Sequence, residues 1–385
     1  MKIAIFTQPL HTNYGGILQA YALQTFLQKH GHDVVIVNRD YDNKITIKLL
    51  LRRIGSIIKS FIRFVLFRRN EYIFMNPFSP FFHNKWHGYN VLPFVSEYIN
   101  ITKEIRSSKA LRKYLKKNRF DCYIVGSDQV WRPCYSPNIT DFFLKQVPVD
   151  VKSKLIAYSA SFGTDLWEFS DVETRECAAL AKLFDAISVR EESGVQLCQE
   201  KLGFDGAVHV LDPTMLLNVD DYIKLFEGSN KHRALANVFC YVLDKNNQAE
   251  LVMASLQADG YTSIYADINL ISTKTNPRPF QMPVEEWLRE LYMSDFVVTD
   301  SFHACVFSIL FKKPFVVLGN RERGNTRFDS LLNIFCLKSR FVDSFTKFQE
   351  QKAMLMDTAD LNATEVALSS YRKKSVNFLK SVGLI

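Results

Sequence analysis

Asp300-Ser301-Phe302-His303 follows the apolar run Phe296-Val297-Val298 and leads directly into Ala304-Cys305-Val306, which places an imidazole in the first turn of a helix. Histidine titrates near neutrality, so a ring there can both hold an anion and move a proton. The helix amino terminus adds free N–H groups and partial positive charge. Thr299 or Asp300 can cap the turn, and Lys313 to Gly319 supplies the next strand, so His303 sits inside a β-α-β unit. A histidine that merely caps its own turn is the alternative, and the Thr-Asp-Ser run brings the two into balance.

Other strand ends repeat the pattern. Val125-Gly126-Ser127-Asp128 carries a carboxylate suited to accept a proton or orient a sugar hydroxyl, with Trp131 just beyond as a surface for stacking on a sugar ring. A turn with an Asp cap is the competing account. Ser188-Val189-Arg190-Glu191 ends in a guanidinium whose two-pronged geometry matches carboxylate or phosphate, unless a neighbouring acid claims it. The loop 319–328 brings Arg321, Arg323 and Arg327 to the end of strand 315–318, where they can bind an anion. At the start of the chain, strand 2–7 and loop 8–16 lead into a helix expected over 17–30. Asn13-Tyr14-Gly15-Gly16 stands at its entrance, where glycines let a ligand approach the backbone. The spacing is not G-x-G-x-x-G.

Strands and helices must alternate to place these groups. Strands are expected near 2–7, 33–38, 121–125, 154–160, 184–189 and 208–212, then, past a hinge at about 214–230, near 237–243, 263–266, 296–299 and 315–318. Helices are expected at 248–259, from Pro283 through Leu291, at 329–335 and at 362–382. That gives an α/β protein of two Rossmann-like domains, 1–215 and 216–360, with a C-terminal helix at 361–385. A basic helical insertion occupies about 44–118.

A chain of 385 residues is too long for one ordinary core and suits two. Seven cysteines without a C-x-x-C pair fit free thiols in a reducing cytoplasm, and no metal-ligand spacing is present. The apolar run at the N-terminus is too short for a signal peptide. The net charge of +8 is matched by one window, Asn43 to Asn70, with eight basic residues and no acidic one. As a helix it gathers Lys48, Arg52, Lys59 and Arg63 on one side and Ile54, Ile57, Phe61 and Phe64 on the other. This is the form of a peripheral membrane contact through 44–69, or of a packed helix with a solvated basic edge. No nucleic-acid motif accompanies the charge, so nucleic acid is not an expected partner.

The segments Asn13-Tyr14-Gly15-Gly16-Ile17-Leu18-Gln19-Ala20, Val125-Gly126-Ser127-Asp128-Gln129-Val130-Trp131, Ser159-Ala160-Ser161-Phe162-Gly163, Ser188-Val189-Arg190-Glu191, Leu211-Asp212-Pro213-Thr214 and Thr299-Asp300-Ser301-Phe302-His303 resemble, in order, those of the polysaccharide pyruvyl transferases. The basic insertion is the part covered least. The resemblance implies a glycosyltransferase B type fold, two Rossmann-like halves facing across a cleft. It also implies phosphoenolpyruvate as donor, an oligosaccharide or lipid-linked sugar as acceptor, a pyruvate ketal as product, and neither metal nor other cofactor. Where some members carry arginine before the aromatic-His pair, this chain has Ser301, leaving Arg323 or Arg327 to supply the cation or the donor to differ. Catalysis would fall to His303 and Asp128. Substrates would meet Asn13, Tyr14, Gly15, Gly16, Ser127, Trp131, Arg190, Asp300, Ser301, Arg323 and Arg327. A nucleotide-sugar glycosyltransferase and a non-catalytic glycan-binding protein remain open on the same scaffold.

Overall fold

A computed structural model describes residues 1–42, 54, 55, 58, 90–148, 153–227, 237–244, 247–266, 281–319 and 325–385. Nearly all of the basic window, and Arg321 and Arg323, lie outside the described residues.

In the first domain the strands are β1 (Lys2–Phe6), β2 (Asp33–Val37), β3 (Cys122–Val125), β4 (Lys154–Ala160), β5 (Ala186–Val189) and β6 (Val208–His209). The described helices are α1 (Tyr14–Lys29), α2 (Leu92–Tyr98), α3 (Ser108–Lys117), α4 (Asp171–Ala181) and α5 (Glu192–Leu202). All strand pairs are parallel, in the order β2-β1-β3-β4-β5-β6. Central strands such as Cys122–Val125 are buried at every position, as expected of a sheet covered on both faces.

After α6 (Val219–Phe226) the second domain begins again with β7 (Val238–Tyr241), α7 (Asn247–Ala258), β8 (Ser263–Tyr265), α8 (Val284–Met293), β9 (Phe296–Thr299), α9 (Phe302–Leu310), β10 (Phe315–Leu318), α10 (Thr326–Ile334), β11 (Phe341–Val342) and α11 (Phe345–Met356). Its sheet is likewise parallel, in the order β11-β10-β9-β7-β8. The last helix, α12 (Thr364–Ser381), returns to the first domain. There Arg372 donates to the carbonyls of Met215 and Leu217, and the Ser375 hydroxyl accepts from the Leu211 amide. No described helix is long and apolar enough to cross a membrane.

In each sheet the strand order reverses direction at one point, between β1 and β3 and between β7 and β9. Ligands of open α/β sheets bind beyond the carboxyl ends of strands at such switch points. One apolar cluster runs through both domains and joins Tyr14, Ile17 and Leu18 of α1 to Trp287 of α8 and Phe302 and Cys305 of α9. That shared core fixes the two switch points against each other.

Candidate active site

A cleft of about 430 Å³ opens between the domains. Its first-domain wall comes from the loops after β1 and β3, with Gln8, His11, Thr12, Asn13, Asp128 and Gln129, and is extended by Tyr41, Arg132 and Tyr135. The second-domain wall is Leu243, Asp300, Ser301, Phe302, His303 and Arg327, from the ends of β7 and β9 and the starts of α9 and α10.

His303 is buried, and its ring lies so close to α1 that a Cβ on Gly15 would stand 1.9 Å from Nδ1. Only glycine at 15 leaves room for the imidazole. The Nε2 edge lies 3.4 Å from Oδ2 of Asp212 and has no hydrogen-bond partner. Asp212 is buried and fully engaged: Oδ2 accepts from Ser127 at 2.9 Å and Arg190 at 3.1 Å, and Oδ1 from the amide and hydroxyl of Thr214. Burial pushes the Asp212 carboxyl upward, but His303, Arg190 and Thr214 outweigh it and hold the group well below the usual carboxylate range.

Asp128 occupies the left-handed region at φ +71°, a conformation that asparagine and aspartate tolerate better than most residues. Its carboxylate accepts from Nδ2 of Asn13 at 3.3 Å and lies 3.7 Å from Arg190. Asn13 also caps α1, accepting from the Gly15 amide at 3.0 Å, so one side chain sets both the helix start and Asp128. Gly16 backs the same carboxylate: a Cβ there would lie 3.3 Å from Asp128 Oδ2. Helix α1 thus begins at Tyr14 rather than 17, and its glycines back the side chains of His303 and Asp128.

Arg327 is 8% exposed, lines the cleft, and its Nε has no hydrogen-bond partner. Burial, and then repulsion from Arg190, lowers its pKa to about 10. The helix here starts at Thr326, earlier than the expected 329, which puts Arg327 in the first turn of α10 rather than in a loop. The guanidinium carbons of Arg190 and Arg327 stand 4.4 and 6.0 Å from the Phe302 ring centre. Neither N-cap, Ser301 of α9 or Asn325 of α10, makes a side-chain cap bond. Two helix amino termini, a guanidinium nitrogen and an imidazole nitrogen without hydrogen-bond partners among the described residues therefore meet on one wall. Among the described residues no group of three or more His, Cys, Asp or Glu side chains is placed to hold a metal ion.

Four expected ligand contacts are corrected by burial. Trp131 is fully enclosed, stacked on Phe143 at 4.8 Å with Nε1 donating to the Phe142 carbonyl, so its faces are taken by protein. Tyr14 is an interdomain plug: it stacks on Trp287 at 5.2 Å and donates its hydroxyl to the Met282 carbonyl. Ser127 is spent on Asp212. Arg190 lies beneath the cleft wall, 1% exposed at its side chain and shared among Asp128, Glu191 and Asp212, because three buried carboxylates reach it before any ligand can. Asp300 does line the cleft, yet its two oxygens accept from the amides of Leu243 and Asp244 and so tie down the loop after β7. Sequence reasoning missed Asp212 as the charge that joins His303 to Arg190. The signal was present in Asp212-Pro213-Thr214, where an acid two residues before a threonine closes a capped turn.

Two parallel sheets with facing switch points make this a two-domain protein of the glycosyltransferase B type. Its fold is similar to that of the UDP-GlcNAc 2-epimerase of Methanocaldococcus jannaschii, with TM-score 0.54 and 11% identity over 98% of this chain and 99% of that one. The Neisseria meningitidis UDP-GlcNAc 2-epimerase bound to UDP-GlcNAc gives 0.52 and 11% over 99% and 100%, and the Rickettsia bellii UDP-N-acetylglucosamine 2-epimerase 0.51 and 10% over 99% and 96%. At such identities the likeness concerns the fold alone. No curated protein matches the sequence significantly. The family model of the polysaccharide pyruvyl transferases matches residues 13–322, and the chain belongs to that family.

Proposed function

We propose that this transferase moves the pyruvyl group of phosphoenolpyruvate onto two hydroxyls of a sugar in a surface polysaccharide or its lipid-linked precursor, forming a pyruvate ketal. The observation that carries this reading is Arg327, a buried guanidinium that lines the cleft with His303 at the amino ends of α9 and α10 and whose Nε has no hydrogen-bond partner among the described residues. A donor with a phosphate and a carboxylate asks for such a wall, because charge-assisted bonds to anions are strongest where water is excluded. Arg327 also supplies the cation that Ser301 does not. Ketal formation needs a proton on the donor's methylene carbon and the removal of two hydroxyl protons. His303 suits the first transfer, and Asp128 orients the acceptor.

A membrane-bound acceptor would explain the charge distribution. Exposed Lys109, Arg112, Lys113, Lys116 and Lys117 on α3 add to the basic window at 44–69, and anionic lipid would attract both. Peripheral contact at the inner face of a membrane belongs to the proposal, and salt-sensitive binding to anionic vesicles tests it.

Incubation with carbon-labelled phosphoenolpyruvate and an oligosaccharide acceptor should put label into product and release one phosphate per ketal. His303→Ala should lower turnover by ~100-fold or more, the scale for losing a general acid or base. Label reaching acceptor only from a UDP-sugar would establish a glycosyltransferase instead, and neither donor reacting would leave a glycan-binding protein.

A further inference from the structure

The cleft holds a second imidazole on the wall opposite Arg327. His11, in the loop between β1 and α1, lines the cleft, and its Nε2 lies 3.1 Å from Oδ1 of Asp40. The two side chains are 26% and 10% exposed, and the Nε2 edge of the ring is the one held by Asp40. Asp40 is itself fixed. Its Oδ1 accepts from the Tyr41 amide at 2.7 Å, its own amide donates to the Ile105 carbonyl at 3.0 Å, and the Arg39 guanidinium donates to its carbonyl oxygen. Arg39 is anchored in turn by the buried Asp141 at 2.7 Å. Burial pushes the Asp40 carboxyl upward, but hydrogen bonds with His11 and Glu104, the charge of a protonated His11 and the Tyr41 amide together hold it down at about 2. An ionised carboxylate at Nε2 keeps the proton on that nitrogen, which leaves the Nδ1 lone pair free. Among the described residues nothing engages Nδ1.

Among the described residues the walls differ in charge. Arg327 and two helix amino termini stand on the second-domain side, whereas His11 shares its side with the carboxylates of Asp40 and Asp128. Of the cations on that side, Arg132 is taken up by Glu168 through two bonds of 2.8 Å, and Arg190 lies buried 3.7 Å from Asp128. An anionic donor finds no free described cation on that side, and a neutral polyol needs none.

We propose that His11, oriented by Asp40, is the base that takes the proton from the acceptor hydroxyl as it attacks the donor. The inference rests on the transferase reading above, in that it requires a sugar hydroxyl as acceptor. With phosphoenolpyruvate, the first hydroxyl oxygen bonds to C2, its proton passes to His11 Nδ1, and the C2–C3 π pair takes a proton from His303 to become a methyl group. The second hydroxyl oxygen then bonds to C2 as the C2–O(phosphate) bond breaks, and its proton leaves on hydrogenphosphate. His11 releases its proton to solvent, from which His303 is recharged. The sum is diol plus phosphoenolpyruvate to ketal plus hydrogenphosphate.

The test compares wild type, His11→Ala and His11→Gln with whichever of the two donors the wild type uses. kcat should fall by ~100-fold or more in both variants. Donor half-saturation should stay within a few-fold, and added imidazole should restore part of the rate in His11→Ala but not in His11→Gln, where the site is filled. Thermal midpoints near that of wild type certify folding. An active wild type with variants within a few-fold of it, or a loss confined to donor affinity, overturns the role of His11 and leaves the transferase intact. A wild type that transfers from neither donor overturns the transferase reading and this inference together.

Discussion

The imidazole of His303 rests against the α-carbon of Gly15, across the domain boundary, with no space for a methyl group between them. Gly15→Ala therefore displaces the ring or pushes α1 off it. Turnover should drop by ~100-fold or more, as for loss of the proton carrier itself. The clash overpacks a buried contact, so stability should also fall, by roughly 1–3 kcal/mol, and a cooperative unfolding transition would certify that the variant is folded. Full activity in Gly15→Ala would show that the ring position does not matter to the reaction.

Arg190 and Arg327 flank Phe302 but should behave differently when removed. Arg190→Ala leaves Asp212 and Glu191 buried without their shared cation, a change that costs about 3–5 kcal/mol for buried pairs. The expected result is a lowered unfolding midpoint in denaturant, whether or not donor is present.

Arg327→Ala removes a charge that no described partner uses. Losing charge-assisted bonds worth about 1.5–3 kcal/mol should raise the half-saturation for phosphoenolpyruvate by roughly 10- to 100-fold. The thermal midpoint of the free protein should hold or rise, since an unpaired buried cation is gone. An unchanged half-saturation would remove Arg327 from the donor site.

Asp40 and Asp212 both have carboxyls held below their unfolded values, Asp40 at about 2. A depressed carboxylate contributes stability that is complete above the unfolded pKa of about 4 and is lost as pH falls through the folded one. The protein should therefore lose stability between about pH 5 and pH 2. In Asp40→Asn that loss should be smaller, which denaturant titrations at pH 6, 4 and 3 would show. An identical slope in the variant would mean that Asp40 is not ionised in the folded state.

The alternation of strands and helices was legible because its signal is local: Val34 to Val37, Cys122 to Val125 and Phe296 to Val298 are short apolar runs bounded by polar turns. His303 could be picked out for the same reason, as it stands where a strand turns into a helix. What the sequence hid was the direction each side chain takes. Trp131 and Tyr14 are large and amphipathic, equally able to meet a sugar or to fill a core, and packing against Phe143 and Trp287 decides between them. Arg190 was legible as an anion site, but the anion proved to be Asp212, 22 residues away and brought beside it by the pairing of β5 with β6. The His11–Asp40 pair spans 29 residues and escaped notice because neither residue stands out in its own segment.

The candidate site also depends on how the two domains are joined. His303 belongs to one domain, while Gly15 and Asp212, which back and neighbour its ring, belong to the other. Neither domain by itself holds the imidazole, the glycine that makes room for it and the carboxylate beside it. The candidate site therefore exists only in the joined molecule, and a fragment carrying either domain alone would lack it.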